Sequence, residues 1–271
     1  IGPDALRGAN TAGANTGGCN IAIGNAAGLT VTSGSKNILI GHAAGDAVTT
    51  GSNYVAIGQE ALGAEDTGGS GAIAIGYHAL KVQNGAWSNN VAIGYEAGAT
   101  LTEATENVFM GYNAGKGVTT GCRVVALGAL TLTASTTGGD NVVIGGDTGR
   151  SNTGSSNVLI GACAGKTSGD GSSNTMLGHN AGGAVTNGDK NSFLGACAGD
   201  AVTTGCCNVA IGHGADVASA TGNNQLAIGI DANNWITGDS SYNIFDKDGN
   251  QLNGGGGFEA DADLNLMASN T

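Results

Sequence analysis

A large apolar residue followed by glycine returns along the chain with a period of 17 residues. The glycines are Gly2, Gly24, Gly41, Gly58, Gly76, Gly94, Gly111, Gly128, Gly145, Gly161, Gly178, Gly195, Gly212 and Gly229; after a first step of 22, every step is 16, 17 or 18. Taking each glycine as position 0, position −1 is Ile, Leu or Met in all thirteen full repeats. Position −3 is Val, Ile or Leu except at Thr175 and Ser192, and +3 is Ala in eleven repeats. Position −4 is Asn in nine: Asn20, Asn37, Asn90, Asn107, Asn141, Asn157, Asn174, Asn191 and Asn208. The consensus is N-V-A-I-G-x-x-A-G. A fixed period means one small unit stacked on copies of itself, because a single unit cannot bury its apolar face alone. Helical solenoids need repeats of roughly 33 residues and leucine-rich repeats roughly 20, so this unit is too short for either.

In V-A-I the side chains alternate, which reads as a short strand, and the glycine ends it. A second short strand is expected in A-V-T-T-G segments such as 47–51 and 201–205. Two strands and two turns fill one coil of an all-β parallel β-solenoid, a β-roll of about thirteen coils over residues 1–234. At about 4.8 Å per coil the rod is roughly 60 Å long. The Asn at −4 should form a ladder, each side chain bonding to the next coil. Positions −3 and −1 are expected to point inward, with Ala at +3 filling the far side. Position −2 then faces outward, yet it is apolar in every coil and includes Leu39, Phe109, Val143, Leu159, Met176 and Phe193. A strand apolar on both faces is covered on both faces. These six residues are therefore expected to form an oligomer seam, with the chain its own partner in a side-by-side homotrimer.

The register breaks after Asn234, and 235–257 reads as a hairpin with an Asp-Gly turn followed by a Gly-rich joint at 254–257. Residues 258–271 read as the start of another array. Ile1-Gly2 already occupy positions −1 and 0, so the chain is expected to be a segment of a longer polypeptide. The net charge is −12 with nine Lys and Arg, which leaves no basic face for nucleic acid. No apolar run approaches the roughly 18 residues of a membrane span, so no membrane insertion is expected.

Little in the chain reads as reactive chemistry, and no enzyme is expected. Six cysteines, Cys19, Cys122, Cys163, Cys197, Cys206 and Cys207, lack C-x-x-C spacing and read as buried thiols filling Ala-like positions, with disulfides as the alternative. His42, His179 and His213 at +1 and His78 at +2 never fall on adjacent coils and read as surface or seam residues. Carboxylates such as Glu65/Asp66 read as solvated turn residues. Asp246, Asp248 and Asn250 alternate as in calcium loops, but the Glu that would complete an EF-hand loop is Gly257, so no cofactor and no metal are expected. Tyr77, Tyr95 and Tyr112 occupy +1 on three consecutive coils and read as a stacked seam ladder or as a platform for a cell-surface glycan or receptor.

The N-x-V-A-I-G-x-x-A repeat resembles the YadA-like head repeat of trimeric autotransporter adhesins, which implies a parallel roll built as a trimer. Runs such as 90–98 and 107–115, with the W-I-T-G-D-S-S-Y-N segment at 235–243, resemble repeat-containing fibre and tail proteins of tailed bacteriophages, cyanophages in particular. The resemblance implies a structural shaft of a virion fibre, or alternatively a bacterial surface adhesin or extracellular filament. A location on a virion or an extracellular surface follows from either.

Overall fold

The computed structural model describes residues 1–7, 16–64, 69–84 and 89–252. The joint at 254–257, the array expected at 258–271 and the Glu65/Asp66 pair lie outside the described residues. The fold is all-β: a parallel β-solenoid of about twelve turns. Twelve three-residue strands, from β1 (Ile21–Ile23) to β12 (Val209–Ile211), are followed by β13 (Leu226–Ile230), β14 (Asn233–Gly238) and β15 (Ile244–Asp246). They form a single sheet in chain order. Through β13 the pairing is parallel and joins equal positions of successive coils, as in Val91 with Val108, Ala92 with Phe109 and Ile93 with Met110. The last two strands pair antiparallel. Their turns are a tight one after Ile230, the 239–243 loop and an Asp246–Gly249 turn closed by the Gly249 N–H to the Asp246 carbonyl at 3.1 Å.

Each coil carries one strand, not two. The expected second strands at 47–51 and 201–205 are turns and bends. They stack by isolated bonds, such as Thr32 N–H to the Thr49 carbonyl and Thr203 N–H to the Ala220 carbonyl, both 2.8 Å. Val48 and Val202 nevertheless point into the core. The coil closes within 17 residues by using left-handed backbone at recurring corners. Position −5 (Lys36, Glu106, Arg123) and position +2 (Glu60, His78, Asp147) have φ between 51° and 62°. Such residues are individually strained, so the stacking around them must hold the turns.

The two strand faces are the reverse of the sequence expectation. Position −2 is the interior: Leu39, Phe109, Val143, Leu159, Met176 and Phe193 are all buried inside the single chain. They therefore form no seam. Positions −3 and −1 lie on the outer face. The reason is space. The interior of a 17-residue coil is filled by −2, Ala at +3, position +4 and a residue near +7, which leaves no room for two rows of Ile and Val. The core volumes compensate within a coil. Where −2 is large, +4 is Gly, as in Phe109/Gly115 and Phe193/Gly199; a Cβ on Gly115 would lie 2.4 Å from the Phe109 ring. Where −2 is Ala, three coils place Leu at +4: Ala56/Leu62, Ala74/Leu80 and Ala126/Leu132, all buried.

Two features pin each coil to the next. The first is the position-0 glycine. From Gly2 to Gly212 its φ lies between 124° and 144°, and an added Cβ would sit 1.7–2.7 Å from the next coil's glycine oxygen. The second is the Asn at −4, which shares the inward parity of −2. Every one of the nine donates from Nδ2 to a carbonyl of the next coil, as Asn174 does to Gly188 at 2.8 Å. Every Oδ1 accepts the backbone N–H at −4 of the next coil, as Asn174 does from Asn191 at 2.9 Å. The ladder is thus amide to backbone, and it satisfies buried polar groups that would otherwise each cost roughly 1–3 kcal/mol.

Candidate interaction surface

The outer sheet face carries two aliphatic rows, −3 and −1, broken only by the hydroxyls of Thr175 and Ser192. Ile21 is 50% exposed, Met110 45% and Leu194 49%, and in the strands between them both rows are half-buried, so no part of the face is closed off from solvent. One rim is row −5, left-handed and exposed in coil after coil, with Lys36, Asn89, Glu106, Arg123, Asp140 and Lys190. The other rim is row +1, with His42, Tyr77, Tyr95, Tyr112, His179 and His213.

The tyrosines stack. Ring centroids are 4.9 Å apart for Tyr77–Tyr95 and 5.4 Å for Tyr95–Tyr112, close to the coil spacing, and His78 stacks on Tyr77 at 3.6 Å. Desolvation between its neighbours, aided by the Glu96 carboxylate, holds the Tyr95 hydroxyl above the usual phenol range. The stacking occupies both faces of Tyr95. Tyr112 is 53% exposed, and the next residue in its row is Ala129.

Beside the tyrosines runs a charge ladder that the sequence reading did not anticipate. A Lys at +5 reaches back to an acid at +2 of the preceding coil: Lys81 to Glu60 at 2.8 Å, Lys116 to Glu96 at 2.5 Å and Lys166 to Asp147 at 2.6 Å. His78 lies between two of these acids, 3.3 Å from Glu60 and 3.9 Å from Glu96. The hydrogen bond from Lys81 holds the Glu60 carboxyl below its usual range, and the bond to Glu96 holds Lys116 above its own. The signal was an acid followed 19–21 residues later by Lys, one period plus three. Farther along, burial and the neighbouring Asp200 push the Asp216 carboxyl up to about 6, although it accepts the Ala201 N–H.

The remaining candidates are brought to no common site. All six cysteines are free, and none is buried, contrary to the expected core thiols: Cys19 and Cys207 are exposed and the others half-buried. They stand at −6, −5 and +2, which are outer corners rather than Ala-like core positions. Cys122 and Cys206 do have a structural part. They join an outer ladder at −6 in which a side chain accepts the N–H of the preceding coil, Thr105 to Cys122 at 3.4 Å and Asp189 to Cys206 at 3.3 Å, as Ser155 does to Ser172 at 3.1 Å. His42, His179 and His213 lie exposed on row +1. The Asp246 carboxylate accepts the N–H groups of Asp248 and Asn250 and the Asn250 amide, so its oxygens serve the turn. Among the described residues no group of three or more His, Cys, Asp or Glu could hold a metal ion, and no helix is long and apolar enough to cross a membrane. No protein family, curated protein or solved structure matches the chain.

Proposed function

We propose that the chain is a structural shaft segment of a viral tail or virion fibre, assembled as a homotrimer and acting as a stiff spacer on a virion or extracellular surface. Its role is mechanical rather than catalytic. One observation carries this reading: each coil is tied to the next at the sheet, at the position-0 glycine and through the buried Asn ladder, over about twelve turns. Bending such a stack would break several bonds at one level at once. The antiparallel β14–β15 extension covers the edge of the parallel stack, which otherwise invites strand addition.

Small-angle scattering with negative-stain microscopy tests the shaft. A straight rod of roughly 60 Å per segment is expected, and a flexible or globular particle overturns it. The complete gene separates fibre from adhesin. A virion-attachment domain supports the fibre, whereas a coiled-coil stalk with a membrane β-barrel would make the chain a bacterial surface adhesin.

A second reading, carbohydrate binding, is favoured by Tyr112, whose ring stacks on Tyr95 on one side and has the small Ala129 as its next neighbour in the row on the other. Glycan-array binding that is lost in Tyr112→Ala and kept in Tyr77→Ala would support it. Equal binding by both variants would remove it.

A further inference from the structure

We infer that the −3/−1 face is the seam between copies of this chain, and that the copies run parallel and in register about an axis parallel to the rod. This assignment rests on the homo-oligomeric reading above and specifies its contact.

The occupant follows from area and composition. Two aliphatic rows over twelve strands form a strip about 60 Å by 12 Å, roughly 700 Å² per copy. A stable interface buries about 800 Å² per partner, while the largest apolar patch of an ordinary monomer is about 300–600 Å². The strip is apolar in the middle and bordered by charged and aromatic rows, which is the anatomy of a protein interface. A second copy supplies the same strip at the same length and straightness.

The orientation follows from the rims. Rotation about an axis parallel to the rod sets row −5 of one copy against row +1 of the next at equal height. Within one chain these rows lie on opposite sides of the strand and have no contact that would match their sizes. In most coils they match nevertheless. Two of the three tyrosines share a coil with small or short residues, Tyr77 with Gly71 and Tyr95 with Asn89, whereas Tyr112 shares its coil with Glu106, and His42 with Lys36. Long charged residues share a coil with the smallest ones, Arg123 with Ala129 and Lys190 with Ala196. Asp140 likewise shares a coil with Gly146. An antiparallel pair facing through this surface in full overlap is related by a two-fold axis along the strands and would instead set row −5 against row −5, with Asp140 against Glu106.

The test has three readouts. Light scattering of residues 1–271 should give a multiple of 26.1 kDa; a monomer at all concentrations overturns the homo-oligomeric reading and this assignment with it. The variant Ile57→Glu/Ile93→Glu/Leu127→Glu changes only outward side chains. It should keep its β circular dichroism and fall to 26.1 kDa. An oligomer that survives these three charges overturns the face while leaving the oligomer intact. The third readout uses the unmodified chain. Mixed light and nitrogen-15-labelled copies are treated with an amine-reactive cross-linker and digested. Lys36–Lys36 and Lys190–Lys190 links between copies are expected. Lys36–Lys190 links between copies overturn the parallel register. Within one chain those lysines are nine coils apart, about 43 Å, so such a link cannot arise internally.

Discussion

Replacing Asn174 by Ala tests the physical basis of the stack. The Asn174 side chain is buried. It donates from Nδ2 to the Gly188 carbonyl at 2.8 Å and accepts the Asn191 N–H at 2.9 Å. Its own N–H bonds to Asn157 Oδ1 at 2.8 Å, and Ala keeps that bond. The substitution thus removes two inter-coil bonds and strands one carbonyl and one N–H where solvent does not reach. Each lost bond costs about 1 kcal/mol net, and more where the abandoned group stays dry, so the expected loss is about 2–5 kcal/mol. Repeat stacks do not always unfold in one step. The readout is therefore local: native-state hydrogen exchange at the Asn191 amide, expected to accelerate by about 1.5–3.5 decades, alongside the urea midpoint. Ser172→Ala is the control. It removes the acceptor of the Ser155 N–H on the half-buried outer ladder, where water can take over, so the cost should stay below about 1 kcal/mol. If Asn174→Ala changed the midpoint no more than Ser172→Ala and left exchange at Asn191 unaltered, the Asn ladder would not be what ties the coils together.

Three further outcomes follow from the same geometry. Phe109→Ala empties an interior position and should cost about 3–5 kcal/mol in a urea titration of the isolated chain, whereas an outward seam residue would leave isolated-chain stability nearly unchanged. Gly111→Ala places a Cβ 2.6 Å from the Gly128 oxygen at φ 135°; a thermal melt should show a loss of more than about 1 kcal/mol, because neither the φ nor the space admits Ala, and an unchanged melt would contradict the coil spacing. Asp216, with its folded pKa raised from 3.8 to about 6, binds its proton more tightly in the folded state. Its contribution is therefore fully present below pH 4, is lost as pH rises from about 4 to 6, and is flat above. For a half-buried carboxylate, solvent screening reduces that loss to roughly 1 kcal/mol. Asp216→Asn should flatten the urea midpoint between pH 4 and 7, and an undiminished slope would assign it to other groups.

Much of the repeat was legible because its spacing is a covalent fact. The 17-residue period gave the coil height, the number of coils and the equivalence of residues that stack, including the tyrosine row and the Asn ladder. The lysine-to-acid ladder was legible too, once one period plus three is recognised as a contact distance. The second strands were not, since A-V-T-T-G has β-prone residues but too few inter-coil bonds to form more than a bend. The cysteines misled because their type suggests burial, while their positions are corners. One clue to the strand faces was available. Asn at −4 and the residue at −2 lie on the same side of a strand, so an Asn buried against the next coil already places Leu39 and Phe109 inside.

The sequence by itself determined that identical coils stack in parallel, because only a repeat can satisfy each coil with a copy of itself. Which strand face points inward was decided by tertiary structure. Both parities of V-A-I are apolar, so the alternation carries no sign, and a one-residue change of parity exchanges every side chain between core and surface. The narrow coil broke that tie. Its interior admits one side chain from −2, balanced against +4, and sends the bulkier Ile and Val rows outward.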